Sequence, residues 1–232
     1  MLDSDVRARA DRVAGRTVRS LECGTGAPVV VLLPGLGALG YLMDALTEYG
    51  ARSRSFLLDV PGFGVRGRPA CRPDVKAVAD TVLDWLEAVV AGEPVVLIGH
   101  SSGAHAALRV ALRSAAVRSL VLIGPPFPPE QRTVSGLLRA ALRDVVHEPL
   151  SLVRALAPYY IRGGPIAVAR YLISTARETP ERSIADVACP VLLVRGEHDA
   201  FAPRHWVDRL ASTARCGQSV TFSGAHSFPF QH

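Results

Sequence analysis

Ser101 stands in the pentapeptide Gly99-His100-Ser101-Ser102-Gly103, directly after the apolar run Val95-Val96-Leu97-Ile98 and directly before an alanine-rich helical pattern from Ala104 to Leu112. These flanks predict a strand, a sharp turn and a helix, with the serine at the apex. Such a turn lifts the hydroxyl clear of the backbone, so that a base can approach from one side and a carbonyl from the other. Side chains at Gly99 and Gly103 would collide across the turn. A Ser/Gly surface loop would carry the same pentapeptide, and the flanking patterns argue against it. The four cysteines, Cys23, Cys71, Cys189 and Cys216, are widely spaced. None forms Cys-x-x-Cys or sits in a Cys/His cluster at metal-ligand spacing, so none competes as nucleophile.

A serine hydroxyl needs a base to take its proton and a third group to orient that base. After the apolar run 191–195 comes Gly196-Glu197-His198-Asp199, and after the run 219–222 comes Gly224-Ala225-His226-Ser227. Asp199 and His226 are the candidates. They lie 98 (199 − 101) and then 27 (226 − 199) residues along the chain, each interval long enough for a helix and a strand. Glu197 and Asp208 are other possible acids, the first nearer the strand end and the second on the following helix. His100 reads as a packed residue beside the nucleophile, and His105, one helical turn on, faces core or cleft. His198 reads as a loop or surface histidine, and His147 and His205 read as ordinary helical or surface residues.

The elements that must position these groups follow from hydrophobic periodicity. Short runs rich in Val, Leu and Ile at 29–33, 55–60, 95–98, 120–123, 191–195 and 219–222 predict parallel strands covered on both faces. Helical patterns at 41–49, 73–91, 104–114 and 203–214 lie between them. Strands alternating with helices predict a doubly wound, mostly parallel α/β sheet. An antiparallel pair, 13–16 with 17–22 turning at Gly15, precedes it. Residues 125–186 break the rhythm. They open with Pro125-Pro126-Phe127-Pro128-Pro129, which suits neither helix nor central strand, and continue as helical patterns. The expected organisation is a core of residues 1–124 and 187–232 with a helical cap, 125–186, over the carboxyl ends of the strands.

At 232 residues, 49 % hydrophobic and 20 % charged, the chain can bury a sizeable core as one domain. No apolar run is long enough to span a bilayer, and the charged start lacks an apolar signal core, which predicts a cytoplasmic protein. The net charge of +5 comes almost wholly from scattered arginines, with Lys76 the only lysine. Without basic runs interleaved with aromatics, nucleic acid is not expected as a partner. Phosphate loop, nucleotide fingerprint and metal motif are all missing from the sequence, so the expectation is no cofactor and no metal.

With these motifs in register, the chain resembles α/β-hydrolase fold proteins of the small type with a helical cap, from about residue 21 to 230. Leu33-Pro34-Gly35-Leu36-Gly37 resembles the oxyanion loop, and Asp59-Val60-Pro61-Gly62-Phe63-Gly64 is similar to the family's Asp-x-Pro-Gly-x-Gly turn. The nucleophile elbow, acid loop and histidine loop complete the set. The resemblance implies that Ser101 attacks a carbonyl, that His226 takes its proton and later returns it to the leaving group, and that Asp199 holds the imidazole. It also implies that the backbone N–H groups of Leu36 and Ser102 bind the oxyanion. A serine where epoxide hydrolases and dehalogenases carry aspartate implies acyl transfer on an ester, with thioester or carbon–carbon hydrolysis and a non-catalytic ligand-binding role as alternatives. The expected substrate is a small to medium, largely apolar molecule. Phe127, His100, Leu138 and Tyr159 are expected to line its site, together with Leu142, Leu156, Tyr160 and Leu172. Two departures stand out. Pro34 replaces the histidine that many relatives carry in the oxyanion loop. The chain also ends six residues after His226 (232 − 226), where relatives usually carry one more helix, so either that helix is absent or the sequence is truncated.

Overall fold

Alternation along the central strands sends consecutive side chains to opposite faces, and both faces are apolar. In β3 (Val29–Leu33) every residue is buried. Val29, Val31 and Leu33 join the core on one side of the sheet, and Val30 and Leu32 join the core on the other. That two-sided burial calls for helices on both faces. The computed structural model describes residues 6–65, 68–148 and 150–230. Its strands form one eight-stranded sheet in the order β1-β2-β4-β3-β5-β6-β7-β8. The remaining strands are β1 (Arg7–Val13), β2 (Arg16–Cys23), β4 (Ser55–Asp59), β5 (Val95–His100), β6 (Val117–Ile123), β7 (Val191–Gly196) and β8 (Gly217–Phe222). β2 pairs antiparallel with β1 and β4, and every other pairing is parallel.

The first hairpin begins earlier than its sequence suggests. β1 covers Arg7–Val13, and the turn falls at Ala14 and Gly15, both at positive φ. The segment Arg-Ala-Arg-Ala-Asp-Arg-Val hides as a strand because it lies at the sheet edge, where charge opposes further pairing. At the other edge, Val220 and Phe222 of β8 are exposed.

Helices α2 (Val75–Val89), α3 (Ser102–Ala111) and α7 (Arg204–Thr213) pack on one face around the fully buried Trp85 and Trp206. Asp74 caps α2, its side chain accepting from the Ala77 N–H at 2.8 Å. On the other face, α1 (Met43–Gly50) buries Leu46 against Leu32 and Leu57. Truncating one of these core side chains, such as Leu97, costs about 2–5 kcal/mol.

Between β6 and β7 the described residues form α4 (Val134–Val145), α5 (Leu150–Gly163) and α6 (Pro165–Ala176), with short 3-10 turns before α4 and after α6. Leu152 of α5 joins the α1-side core. The Arg162 guanidinium donates to the Phe63 carbonyl at 2.9 Å, fastening α5 to the turn after β4. In that turn the buried Asp59 accepts from the Gly64 N–H at 2.8 Å. Among the described residues no helix is long and apolar enough to cross a membrane.

Candidate active site

Parallel register aligns the carboxyl ends of the strands. Leu33 of β3 stands beside Gly99 of β5, His100 beside Ile123 of β6, and Gly196 of β7 beside Phe222 of β8. Loops leaving these ends meet over one edge of the sheet, where open α/β folds bind ligands. Ser101 occupies the turn between β5 and α3 at φ 55° and ψ −122°, a conformation that L-residues seldom adopt. The Ser101 N–H donates to the Ile123 carbonyl at 2.8 Å and anchors the turn. A Cβ on Gly99 would overlap the Gly103 carbonyl, and one on Gly103 the Leu33 carbonyl. Both positions therefore exclude any side chain.

Three candidates from distant parts of the chain converge here. His226 Nε2 lies 2.9 Å from Ser101 Oγ. Its Nδ1 lies 3.0 and 3.1 Å from the two oxygens of Asp199, which is buried. Asp199 Oδ1 also accepts the N–H groups of Phe201 at 3.0 Å and Ala202 at 2.8 Å. Burial alone would raise the Asp199 carboxyl. The His226 charge and hydrogen bond and the Ala202 N–H outweigh burial and hold it below its ordinary value. Burial likewise opposes charge on His226, but the Asp199 carboxylate beside Nδ1 prevails and raises the imidazole to about 9. Glu197 and Asp208, the other acids considered, lie elsewhere: Glu197 contacts His198 and Asp208 accepts from Ser219 Oγ.

His100 is more than a packed neighbour. Its Nε2 lies 2.9 Å from the His226 carbonyl and its Nδ1 lies 2.7 Å from the Tyr41 hydroxyl, which accepts the Gly35 N–H at 2.6 Å. Only one tautomer satisfies all of these bonds: Nε2 donates to the carbonyl and Nδ1 accepts from Tyr41. Burial, then the His226 charge, lowers His100 to about 3, so the ring is neutral. His105 faces the core, with Nε2 at 3.1 Å from the Pro126 carbonyl.

The two backbone donors expected at an oxyanion differ. Ser102 opens α3, so its N–H has no acceptor within the helix and lies at the positive end of the helix dipole. The Leu36 N–H is already engaged and donates to Ser102 Oγ at 2.7 Å. Leu36 itself sits at φ 45°, in the left-handed region.

A cavity of about 350 Å³ opens over Ser101. Phe127 and His100 line it, and so do Leu156, Tyr160 and Leu172 of the helices between β6 and β7. Phe127 is held at φ 67°, its ring edge-on to Phe201. Two expectations are corrected. Leu138 does not line the cavity; it projects from α4 at 60 % exposure, because α4 packs through its Ala140 and Asp144 side. Tyr159 turns away toward Gly40 and lies under the Arg162 guanidinium, while its neighbour Tyr160 takes the lining position. Leu142 is likewise exposed.

Sequence reasoning missed Tyr41, Asp144 and Glu148. Asp144 lines the cavity from α4, with Oδ1 accepting the Ala200 N–H at 3.2 Å. Burial, together with the Asp199 and Glu148 charges and against the pull of His226, raises it to about 7. Glu148 Oε1 accepts the N–H of Ser227, next to His226, at 2.7 Å. The signal for Asp144 was present: it is the only acid on a helix whose other charged residues, Arg139 and Arg143, are arginines.

Burial pushes the Cys71 thiol up to about 11, leaving it inert. Among the described residues no group of three or more His, Cys, Asp or Glu is arranged to hold a metal ion.

Comparison with known proteins agrees with this fold. The model of a family described as "Alpha/beta hydrolase family" matches residues 30–232, and the chain belongs to that family. Several solved structures share the fold. A putative lipase from Acinetobacter baumannii AYE has a TM-score of 0.79 at 16 % identity, covering 97 % of this chain and 86 % of its own. A serine hydrolase involved in carbazole degradation has 0.78 at 22 %, covering 98 % and 94 %. An esterase from Exiguobacterium antarcticum has 0.76 at 18 %, covering 96 % and 93 %. No functionally curated protein matches the chain in sequence.

Proposed function

We propose that the protein is a serine hydrolase that cleaves a carboxylic ester of a small to medium, largely apolar substrate through an acyl-enzyme. One observation carries the reading: Ser101 Oγ, the two His226 nitrogens and Asp199 form an unbroken line of hydrogen bonds beside an apolar cavity. Ser101 Oγ attacks the ester carbonyl carbon while His226 Nε2 takes the hydroxyl proton. Asp199 keeps the other ring nitrogen protonated and stabilises the imidazolium. His226 then gives its proton to the leaving alkoxide as the carbon–oxygen bond breaks. A water activated by the same imidazole releases the acid and frees Ser101.

The Ser102 N–H is the standing donor to the oxyanion. The Leu36 N–H joins it by leaving Ser102 Oγ as charge builds on the substrate oxygen, and each such donor contributes roughly 3–4 kcal/mol in the transition state. Residues 125–186 serve as the cap, contributing Leu152, Leu156, Tyr160 and Leu172 to an acyl or alcohol pocket. Its lining favours an ester with an apolar chain. A putative lipase and an esterase among the neighbours in fold are consistent with that preference.

Intact-mass labelling with a fluorophosphonate tests the reading. The wild-type protein should gain one adduct and Ser101→Ala none, after which p-nitrophenyl esters of graded acyl length give the chain preference. A folded wild-type sample that takes no adduct would sink the proposal in favour of a non-catalytic ligand-binding role. An adduct without ester turnover would redirect it to thioesters or carbon–carbon bonds.

A further inference from the structure

Helix α4 is built with its apolar side turned outward. Val134, Leu138, Leu142, Val145 and Val146 are exposed at 60–76 %. At about 100° per residue these five side chains share one arc of about 120°, and Arg139 and Arg143 lie about 20° and about 60° beyond one edge of it. The helix packs on the protein through Ala140 and Asp144 instead. An amphipathic helix that buried its apolar arc would be ordinary; one that presents it to water implies an occupant.

Two observations identify that occupant. The first is charge. The exposed ionisable side chains on α4, α5 and α6 are all arginines (Arg139, Arg143, Arg154, Arg162 and Arg170), and the only acid on these helices, Asp144, is buried. The second is continuity. Val145, and Val153 of α5 at 62 % exposure, belong both to the exposed surface and to the lining of the cavity over Ser101. The apolar arc therefore leads straight to the cavity mouth. An apolar stripe flanked by guanidinium groups matches a bilayer surface, where acyl chains meet the one and anionic headgroups the other.

We propose that the α4 face docks the protein on an anionic lipid surface, with Leu142 and Val146 seated at the boundary of headgroups and acyl chains and Arg139 and Arg143 on the phosphates. Docking holds the cavity mouth against the bilayer. The binding step does not rest on the acyl-transfer reading, because it requires no turnover.

Co-sedimentation with sucrose-loaded vesicles tests it, using the full chain carrying Ser101→Ala so that no lipid is consumed. The protein should sediment with vesicles of phosphatidylcholine and phosphatidylglycerol in equal parts, much less with phosphatidylcholine alone, and less as salt is raised. Adding Leu142→Glu and Val146→Glu should lower the partition coefficient at least about tenfold, with an unchanged circular dichroism spectrum and Tm. Arg139→Gln with Arg143→Gln should remove the preference for the anionic vesicles. Equal sedimentation of parent and Glu variants, or no sedimentation with either vesicle, overturns the proposal. So does a dimer in sedimentation velocity that Leu142→Glu abolishes, because the occupant is then a second copy of the chain.

Discussion

The His100 imidazole donates through Nε2 to the backbone carbonyl of His226 at 2.9 Å. The residue before Ser101 thereby grips the backbone of His226. Its other nitrogen accepts from Tyr41, whose hydroxyl receives the Gly35 N–H, so a single neutral ring ties the histidine loop to the oxyanion loop. His100 is a positioning residue that acts through others. His100→Phe keeps a ring of similar size but removes both hydrogen bonds and leaves the buried Tyr41 O–H without an acceptor. The expected result is a fall in kcat of about 10–100-fold with little change in KM. Tm should fall too, since a buried donor left without an acceptor costs about 1–3 kcal/mol, or about 2–4 °C per kcal/mol in a domain of this length. His100→Gln, with both a donor and an acceptor, should recover part of kcat. Equal losses in His100→Phe and His100→Gln would reduce the ring to a packing role.

The Asp199–His226 pair makes opposite demands on stability and reactivity as pH rises. The imidazole rises from 6.5 to about 9 on folding, so its stabilising contribution is complete below 6.5 and is lost as pH climbs through about 9. Asp199 is held below 3.8, so its contribution is present above that value and is lost as pH falls through the lower folded value. Attack by Ser101, however, needs the neutral imidazole. The rate of fluorophosphonate labelling should therefore climb through about pH 9 while Tm declines over the same range. In Asp199→Asn the charge holding the imidazole up is gone, so the rise in rate moves to lower pH and both linked effects shrink. The rate itself should drop by a factor on the order of 10⁴. A labelling profile that is flat from pH 7 to 10 would contradict this account.

Much of this arrangement is legible in the sequence because it rests on local rules. The central strands are continuous apolar runs, and the Gly-x-Ser-x-Gly turn fixes Ser101 between a strand and a helix whichever way the rest of the chain goes. Asp199 and His226 follow because each lies in the short loop after such a strand. The lining of the cavity is another matter. Periodicity shows that α4 is amphipathic and leaves open which side faces the protein, so Leu138 was expected inside and lies outside. Tyr159 and Tyr160 differ by one position, about 100° of helix rotation, and only the packing of α5 decides between them. Tyr41 and Asp144 were missed for a related reason. Each gains its role from a partner far along the chain, His100 in one case and Ala200 in the other.

Asp144 carries a stability cost that its removal should relieve. Burial and the neighbouring carboxylates raise it from 3.8 to about 7, so the folded protein binds its proton more tightly than the unfolded chain. Stability is then lost as pH rises from about 4 toward 7, the reverse of the Asp199 case. Asp144→Asn keeps an oxygen for the Ala200 N–H and removes the charge. Its Tm should exceed the wild-type value at pH 8 and match it near pH 4. Because the Asp144 charge also helps to hold His226 up, the labelling profile of Asp144→Asn should move to lower pH. Differential scanning calorimetry at the two pH values provides the check, and a lower Tm at pH 8 would refute the reading.

The Leu36–Ser102 hydrogen bond sets up the last test. At 2.7 Å the Ser102 hydroxyl occupies the very N–H that an oxyanion would need. In the resting protein the bond satisfies a donor that would otherwise face the site unpaired, so it favours the ground state. In the proposed mechanism the same N–H turns to the substrate oxygen in the transition state, and breaking the bond subtracts from what the donor contributes. Ser102→Ala removes the acceptor while leaving the Ser102 position's own N–H in place at the start of α3. Stability should fall by about 1–3 kcal/mol, because the Leu36 N–H loses its partner. The kcat for a short ester should stay level or rise, since the donor is now free at no cost. Leu36 backbone amide exchange, measured by mass spectrometry on the two proteins, should quicken in the variant. If kcat instead collapses with Tm, the Ser102 hydroxyl is holding the oxyanion loop in its working shape and is not competing with the substrate for the Leu36 N–H.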